Sequence, residues 1–521
     1  MTDRTTESVP ATGADEPAVA TAAAERGLDA TVLKIAGVIV IGAIMSILDV
    51  TVVSVALPTF AAEFRTTYAS VAWTMTGYTL ALASVIPLTG WAADRFGTKR
   101  LYLTALVLFV AGSMLCSVAW DITSLIVFRV LQGFGGGMLM PLGMTILTRA
   151  AGPDRIGRVM AVLGVPMLLG PIAGPILGGW LIDAASWHWI FLINVPIGIV
   201  ALVAAWTVLP KDAPQPSQSF DVVGMLLLSP GLALFLFGVS SIPETGTVLS
   251  ARVLVSAVVG LALVAAFVVH ALRTEHPLID LRLFRNRSLS VAVVAMSLFA
   301  IAFFGAGLIF PSYFLQVRGE TTLAAGLLLA PQGLGAMVSM PIAGNLADRI
   351  GPGRIVITGM ALVTAGMAVF TQVGPSTSYV ILLGGLFVMG LGLGATMMPI
   401  MTAALQTLDD ASVARGSTLM NIIQQSAGSV GTAVISVVLT NQLLDRAAAG
   451  PAMAAQSDPE IAAALPPGAV EAGLAQAADA FGSTFLVATI IVAFTFVPAF
   501  LLPRRKVTPT AGAGAAPTLL H

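Results

Sequence analysis

Charge is scarce in this sequence. Only 10% of its 521 residues are Asp, Glu, Lys or Arg, and 57% are hydrophobic, whereas an ordinary soluble domain carries about 25% charge. Such a chain cannot cover itself with polar surface in water. Its solvent is a bilayer, where backbone groups must be satisfied internally and spanning helices need about 20 residues each. A membrane β-barrel is excluded because the apolar runs are continuous rather than alternating. The single cysteine, Cys116, rules out an intramolecular disulfide. Of four histidines, His188, His270 and His276 sit near helix ends and make no metal-ligand pattern. No His/Cys cluster or Ser/His pair lies at one depth to support catalysis, so an enzyme is not expected. A net charge of -1 speaks against a nucleic-acid partner. No Gly-x-x-x-x-Gly-Lys-Ser/Thr loop or sizeable soluble stretch exists to bind ATP. With no cofactor expected, work must draw on an ion gradient.

What is present is a series of apolar runs bounded by charge or by Gly/Pro turns. They predict helices at about 33–57, 70–92, 101–119, 123–147, 157–182, 187–208, 220–241, 251–271, 289–315, 323–346, 354–373, 378–404, 413–440 and 481–502. Residues 1–32 read as a disordered tail, 441–480 as an outer loop with room for short helices, and 504–521 as a second tail. Of twenty-five Lys and Arg, twenty fall on one set of flanks and four on the other. Positive charge stays inside, so both termini are expected in the cytoplasm and the membrane is expected to be the cell's inner one.

A repeat divides the chain. Gly90-Trp-Ala-Ala-Asp-Arg-Phe-Gly-Thr-Lys-Arg100 matches Gly344-Asn-Leu-Ala-Asp-Arg-Ile-Gly-Pro-Gly-Arg354. These loops follow the second and tenth helices, an offset of eight where two six-helix halves would give six. The expected architecture is therefore all-α: a six-helix bundle at 33–210, two extra helices within 211–275, and a second six-helix bundle at 276–503. Duplicated bundles rocking about a central site are the design of secondary transporters.

The two Gly-x-x-x-Asp-Arg loops, Arg129-Val-Leu-Gln-Gly133 and the stretch Gly164 to Gly179 resemble the major facilitator superfamily. Fourteen spans and Leu48-Asp-Val-Thr-Val-Val-Ser-Val-Ala-Leu-Pro58 resemble its fourteen-helix drug:proton antiporter branch, the EmrB/QacA-like exporters, in which Asn commonly stands at the position of Ser54. The resemblance implies proton-coupled export of lipophilic drugs. The tenth helix holds no acid, unlike some relatives that handle dications, so a monocationic or neutral cargo is expected. Two alternatives stay open: a dedicated exporter of one endogenous metabolite, antibiotic or lipid, and a membrane sensor that moves nothing.

Asp49 is the outlier among the charges. It lies about 8 residues, or ~12 Å, inside the outer end of its helix, and Arg129 lies about 6 residues, or ~9 Å, below the same face. Each alone would cost about 2.5–3.5 kcal/mol at mid-bilayer on insertion scales. A pairing or a shared wet cavity is therefore expected, with Asp49 the proton carrier and Arg129 its electrostatic partner. Plain interhelical bonding is the competing role. For the loops, Gly90, Asp94, Arg95, Asp348 and Arg349 are gate candidates; the alternative is that they only hold basic loops inside. Gly170, Gly174 and Gly178 recur every four residues, which permits close helix approach, while Pro171 and Pro175 remove backbone donors. The resemblance associates this stretch with antiport. Trp73, Tyr78, Gln132, Asn421, Gln424 and Gln425 are candidates for the cargo cavity, although packing and interhelical bonding explain such residues equally well.

Overall fold

A computed structural model describes residues 29–504, apart from 67, 153–154, 213–219, 243–246, 409 and 458. The two predicted tails fall largely outside these residues. Thirteen described helices are long and apolar enough to cross a membrane, and a continuous helix over Ile156–Ala184 occupies the remaining expected place. We number them α1 (Ala30–Glu63), α2 (Tyr68–Phe96), α3 (Thr98–Ser117), α4 (Ile122–Ala151), α5 (Ile156–Ala184), α6 (Trp189–Val208), α7 (Val222–Ser240) and α8 (Ala251–Arg273). The second half comprises α9 (Arg287–Gln316), α10 (Ala324–Ile350), α11 (Pro352–Gln372), α12 (Tyr379–Leu405), α13 (Asp410–Leu444) and α14 (Ala469–Leu501).

The predicted order is therefore present, with one difference of extent. The stretch expected as an outer loop is largely helical, because α13 continues to Leu444, α14 begins at Ala469, and short helices span Ala449–Ser457 and Pro459–Ala464. Alanine-rich sequence with few β-branched residues, here Ile461 and Val470, favours helix even where hydropathy falls. Arg446 fastens this region by pairing with Asp479 at 2.5 Å.

The two halves repeat one packing scheme. α1 lies along α5 in the first half and α9 along α13 in the second, each seam opened by glycine. A β-carbon on Gly170 would overlap Ile47 and one on Gly174 would overlap Thr51, while Gly178 sits against Val52. On the other side, a β-carbon at Gly431 would overlap the carbonyl of Ile301 and one at Gly428 would press on Phe304. Small residues matter here because lipid is as apolar as a leucine side chain, so helices associate through close contact rather than hydrophobic exclusion. The rings of Pro171 and Pro175 lie outside the described side chains.

The halves meet through α5 with α10 and through α13 with α2 and α4. The extra hairpin α7–α8 is wedged at one flank, with α7 touching both α2 and α13. Asp221 secures its base: it caps α7 through Gly224 N at 2.7 Å, accepts from Leu278 N at 3.0 Å and faces His270 Nε2 at 2.7 Å. His270 thus has a structural partner that its position near a helix end did not announce.

Candidate functional site

Helix α4 starts on a capping box, in which Asp121 accepts from Ser124 N at 2.7 Å. That backbone bond holds the Asp121 carboxyl below its usual range. Two turns on, Arg129 enters the interior of the first half, where it is fully buried, as is Asp49 at 2% exposure. Their contact is Arg129 Nη1 to Asp49 Oδ2 at 2.5 Å. The similar depths inferred from helix ends become a direct ion pair.

Four helices close around it. Gln132 Nε2 donates to Asp49 Oδ1 at 2.8 Å, and Asn194 Nδ2 on α6 donates to the same oxygen at 3.0 Å. Asn194 also reaches Ser113 Oγ on α3 at 3.0 Å, and that hydroxyl donates to the carbonyl of Phe191 at 2.9 Å. Arg129 has further acceptors in Gln132 Oε1 at 2.7 Å and the carbonyl of Thr74 at 3.3 Å. Its guanidinium carbon lies 4.2 Å from the Tyr78 ring centre and 5.8 Å from that of Phe191. A buried charge pair is tolerable only when its remaining donors and acceptors are met, which this shell does. Of its members, Asn194 and Ser113 escaped the sequence reading: a lone Asn or Ser in an apolar helix looks the same whether it serves a site or a neighbouring helix.

The chain's central cavity, about 340 Å³, opens between the halves. Asn421, Gln424 and Gln425 line it from α13, Phe304 from α9, Ser46 and Thr51 from α1, and Tyr78 and Thr79 from α2. No described lining residue carries a charge, and Asp49 is not among them. Gln132 belongs to the ion-pair shell rather than the cavity wall. Trp73 also stands elsewhere: it is 38% exposed and stacks on Phe237 of α7 with ring centres 5.5 Å apart. Its residue type grouped it with Tyr78 as an adaptable wall, but five residues turn a helix through roughly 140° beyond one full turn, which carries Trp73 to the flank covered by the extra hairpin.

Below the cavity the halves are clamped at the end rich in basic residues. Asn421 Nδ2 meets Met144 Sδ across the interface at 3.1 Å. Gly90 lies against Thr418 and Arg415, where a β-carbon would come within 3.2 Å of the Thr418 hydroxyl. The two repeated loops then diverge. Asp94 pairs with Arg149 of its own half at 3.3 Å and with Arg415 of the other at 3.7 Å. Asp348 instead caps the start of α5 across the interface, accepting from Gly157 N at 2.8 Å, Arg158 N at 3.2 Å and Arg158 Nε at 3.2 Å. An acid at a helix N-terminus meets unpaired amides and the positive end of the dipole. Arg95 and Arg349 both project outward and are exposed. The glycine that follows Asp-Arg-x in both repeats has a backbone reason, since Gly97 and Gly351 adopt φ +92° and +91°, a region that other residues rarely enter. At Gly97 the turn points Lys99 N and Arg100 N at Asp212, at 2.8 and 3.0 Å. Lys99 Nζ donates to the carbonyls of Trp206 and Leu209 at the end of α6, more than the topological role its charge suggested.

A family model described as Major Facilitator Superfamily matches residues 39–432. The chain belongs to the major facilitator superfamily. Membership makes it a multi-pass membrane transporter and not an enzyme. Among similar facilitators, the "Multidrug resistance protein B homolog" of Mycobacterium tuberculosis (strain ATCC 25618 / H37Rv) is 50% identical over 512 residues, covering 96% of this chain and 95% of the relative. The "Multidrug export protein EmrB" of Escherichia coli (strain K12) is 31% identical over 401 residues, 76% of this chain and 78% of the relative. Among solved structures, the human organic anion transporter MFSD10 aligns with TM-score 0.58 at 16% identity, covering 88% of this chain and 99% of that one. The proton:xylose symporter XylE aligns with TM-score 0.54 at 14% identity, covering 88% and 94%. At such identities the likeness to both is one of facilitator fold alone.

Proposed function

We propose that this transporter is a proton-coupled exporter of lipophilic small molecules across the cytoplasmic membrane, with its basic end and both termini on the cytoplasmic side. The names of the similar multidrug proteins support export of drugs. The observation that carries the coupling is the ion pair of Asp49 and Arg129, wholly inside the half that also walls the cavity. Protonation of Asp49 would remove the pair's attraction at a limited cost, because Gln132 Oε1, the Thr74 carbonyl and two aromatic faces still hold Arg129. A change in the fit of α1 against α4 can therefore follow the proton. Exposed alternately to each side, such a group gives exchange.

Cargo would occupy the central cavity, whose volume lies within the usual range for small-molecule sites. Neutral amides and hydroxyls would orient it and Phe304 would pack on it. With no charge among the described wall residues, an uncharged amphiphile suits the cavity better than a cation, and this narrows the expectation of a monocationic or neutral cargo. In the clamped arrangement described above the cavity is shut from the basic end, and release of the Asp94 and Asp348 contacts would open that side. Purified protein in liposomes tests the reading: imposed pH gradients should drive uptake of a lipophilic drug, and Asp49→Asn should abolish it. Gradient-driven flux that survives in Asp49→Asn would refute the assignment, and absence of any flux for a broad drug panel would favour a sensor.

A further inference from the structure

We infer that Tyr78 is the partition between the cargo cavity and the proton-binding pair, so that protons from cavity water reach Asp49 only when this ring moves. The inference rests on Asp49 being the proton carrier. Tyr78 touches both compartments: it lines the cavity, and its other face covers the Arg129 guanidinium at 4.2 Å. At 1% exposure almost none of its own surface is open to water.

The hydroxyl is seated deliberately. It lies 3.4 Å from Ser46 Oγ, and Ser46 both lines the cavity and sits one turn before Asp49 on α1. On the other side Gly136 of α4 provides the space, since a β-carbon there would overlap the Tyr78 hydroxyl. The ring is thus latched to the helix that carries the carboxylate and rests in a notch of the helix that carries the guanidinium.

The remaining walls are thicker. Toward the outer end the pair is roofed by Phe191, backed by Phe60 at 6.2 Å and by Trp187 edge-on to Phe60 at 5.5 Å. Ionisable groups facing Asp49 come from three packed helices, namely Arg129 on α4, Tyr78 on α2 and Cys116 on α3, while α6 presents the amide of Asn194. Cys116 is buried with its thiol against Gln132 Oε1 at 3.6 Å. The wall shared with the cavity is the one made by Tyr78 and Ser46. When the ring swings aside, hydronium in cavity water gives its proton to the Asp49 carboxylate, leaving water and the neutral acid; the tyrosine proton is not consumed. Cargo and proton then occupy separate chambers, and coupling runs through the ring rather than through competition for one carboxylate.

The test is a proton leak without cargo. Liposomes holding the purified full-length protein and a trapped pH indicator are given a pH gradient. Tyr78→Ala should leak about tenfold faster than wild type, equivalent to about 1.4 kcal/mol off the barrier. Tyr78→Phe, which keeps the ring, should stay close to wild type, and the double variant Asp49→Asn with Tyr78→Ala should lose the leak. Gly136→Ala, which displaces the hydroxyl without removing the ring, gives a second route to an Asp49-dependent leak if Tyr78→Ala fails to fold. A folded Tyr78→Ala protein that is no leakier than wild type, or a leak that persists without Asp49, overturns the partition. The carrier reading is separated by cargo-driven proton flux in Asp49→Asn: its loss keeps that reading even when the partition fails, whereas its survival removes both.

Discussion

The interiors of the two halves share a scaffold and differ in chemistry. Both are held by a glycine seam between their first and fifth helices, yet the first half encloses Asp49, Arg129, Gln132, Asn194 and Ser113, all buried. The second encloses Phe299, Phe310, Phe314, Phe370, Phe481 and Phe485, with Phe310 edge-on to Phe370 at 4.8 Å and tilted against Phe485 at the same distance. Aromatic interlocking of this kind makes a stiff body without any group that changes charge. The contrast teaches a division of labour after duplication. Under the proposed coupling, one half responds to a proton, while the other offers a rigid wall and, on α13, neutral amides.

The sharpest way to break this comparison is to remove the charge. Asp49→Asn leaves Arg129 buried without its counter-charge, and the variant should lose gradient-driven export and about 3 kcal/mol of stability, the low end of the range for stranding one partner because Gln132, Thr74 and Tyr78 still hold the guanidinium. Thermal unfolding in detergent checks this, and adding Arg129→Gln should recover part of the loss without restoring transport. In the second half, Phe310→Leu should cost about 1–2 kcal/mol through imperfect filling while leaving the pH dependence of export where it was. A shifted pH profile there would show that the halves are not so divided.

The glycine seam gives a graded series. Gly174→Ala must displace Thr51 and should cost about 1–3 kcal/mol by overpacking, with turnover reduced accordingly. Gly178→Ala meets Val52 at 3.0–3.3 Å and should be milder, and Gly179→Ala, with nothing within 4 Å, should behave as wild type. The loop acids lie below Gly174 in this series. Asp348 accepts three N–H groups and its side chain is 5% exposed, whereas Asp94 has longer contacts and 17% exposure. Asp348→Asn should therefore release the basic end by about 1–2 kcal/mol and Asp94→Asn by less than about 1 kcal/mol. Cysteine accessibility at the cavity floor, measured from the basic side, ranks the two; an equal or reversed order would count against the helix-capping role of Asp348.

Much of this organisation was legible in the sequence because membranes demand so much of it. Each span must satisfy its own backbone, so fourteen helices follow from apolar run length, and the eight-helix offset between matching loops locates the extra hairpin. Asp49 and Arg129 were conspicuous for the same reason: charge at that depth is costly enough to need a cause. Asn194 and Ser113 were not, because neutral polar groups cost little and occur for many reasons. Orientation was the other obscure quantity. Depth can be counted along a helix, but rotation about its axis is set by neighbours, so Trp73 fell on the hairpin flank and Asp49 turned into its own bundle rather than into the cavity. The extension of α13 to Leu444 and the early start of α14 at Ala469 were hidden because hydropathy marks where lipid ends and says nothing of where a helix does.

The wedge of α7 between α2 and α13 has a mechanical consequence. A helix that grips one member of each bundle acts as a strap along that flank, so any tilting of the bundles must drag or peel it. The molecule's two sides are then unequal despite its internal duplication, and a compound dissolved in the surrounding lipid meets a braced wall on one side and the bare α5–α10 contact on the other.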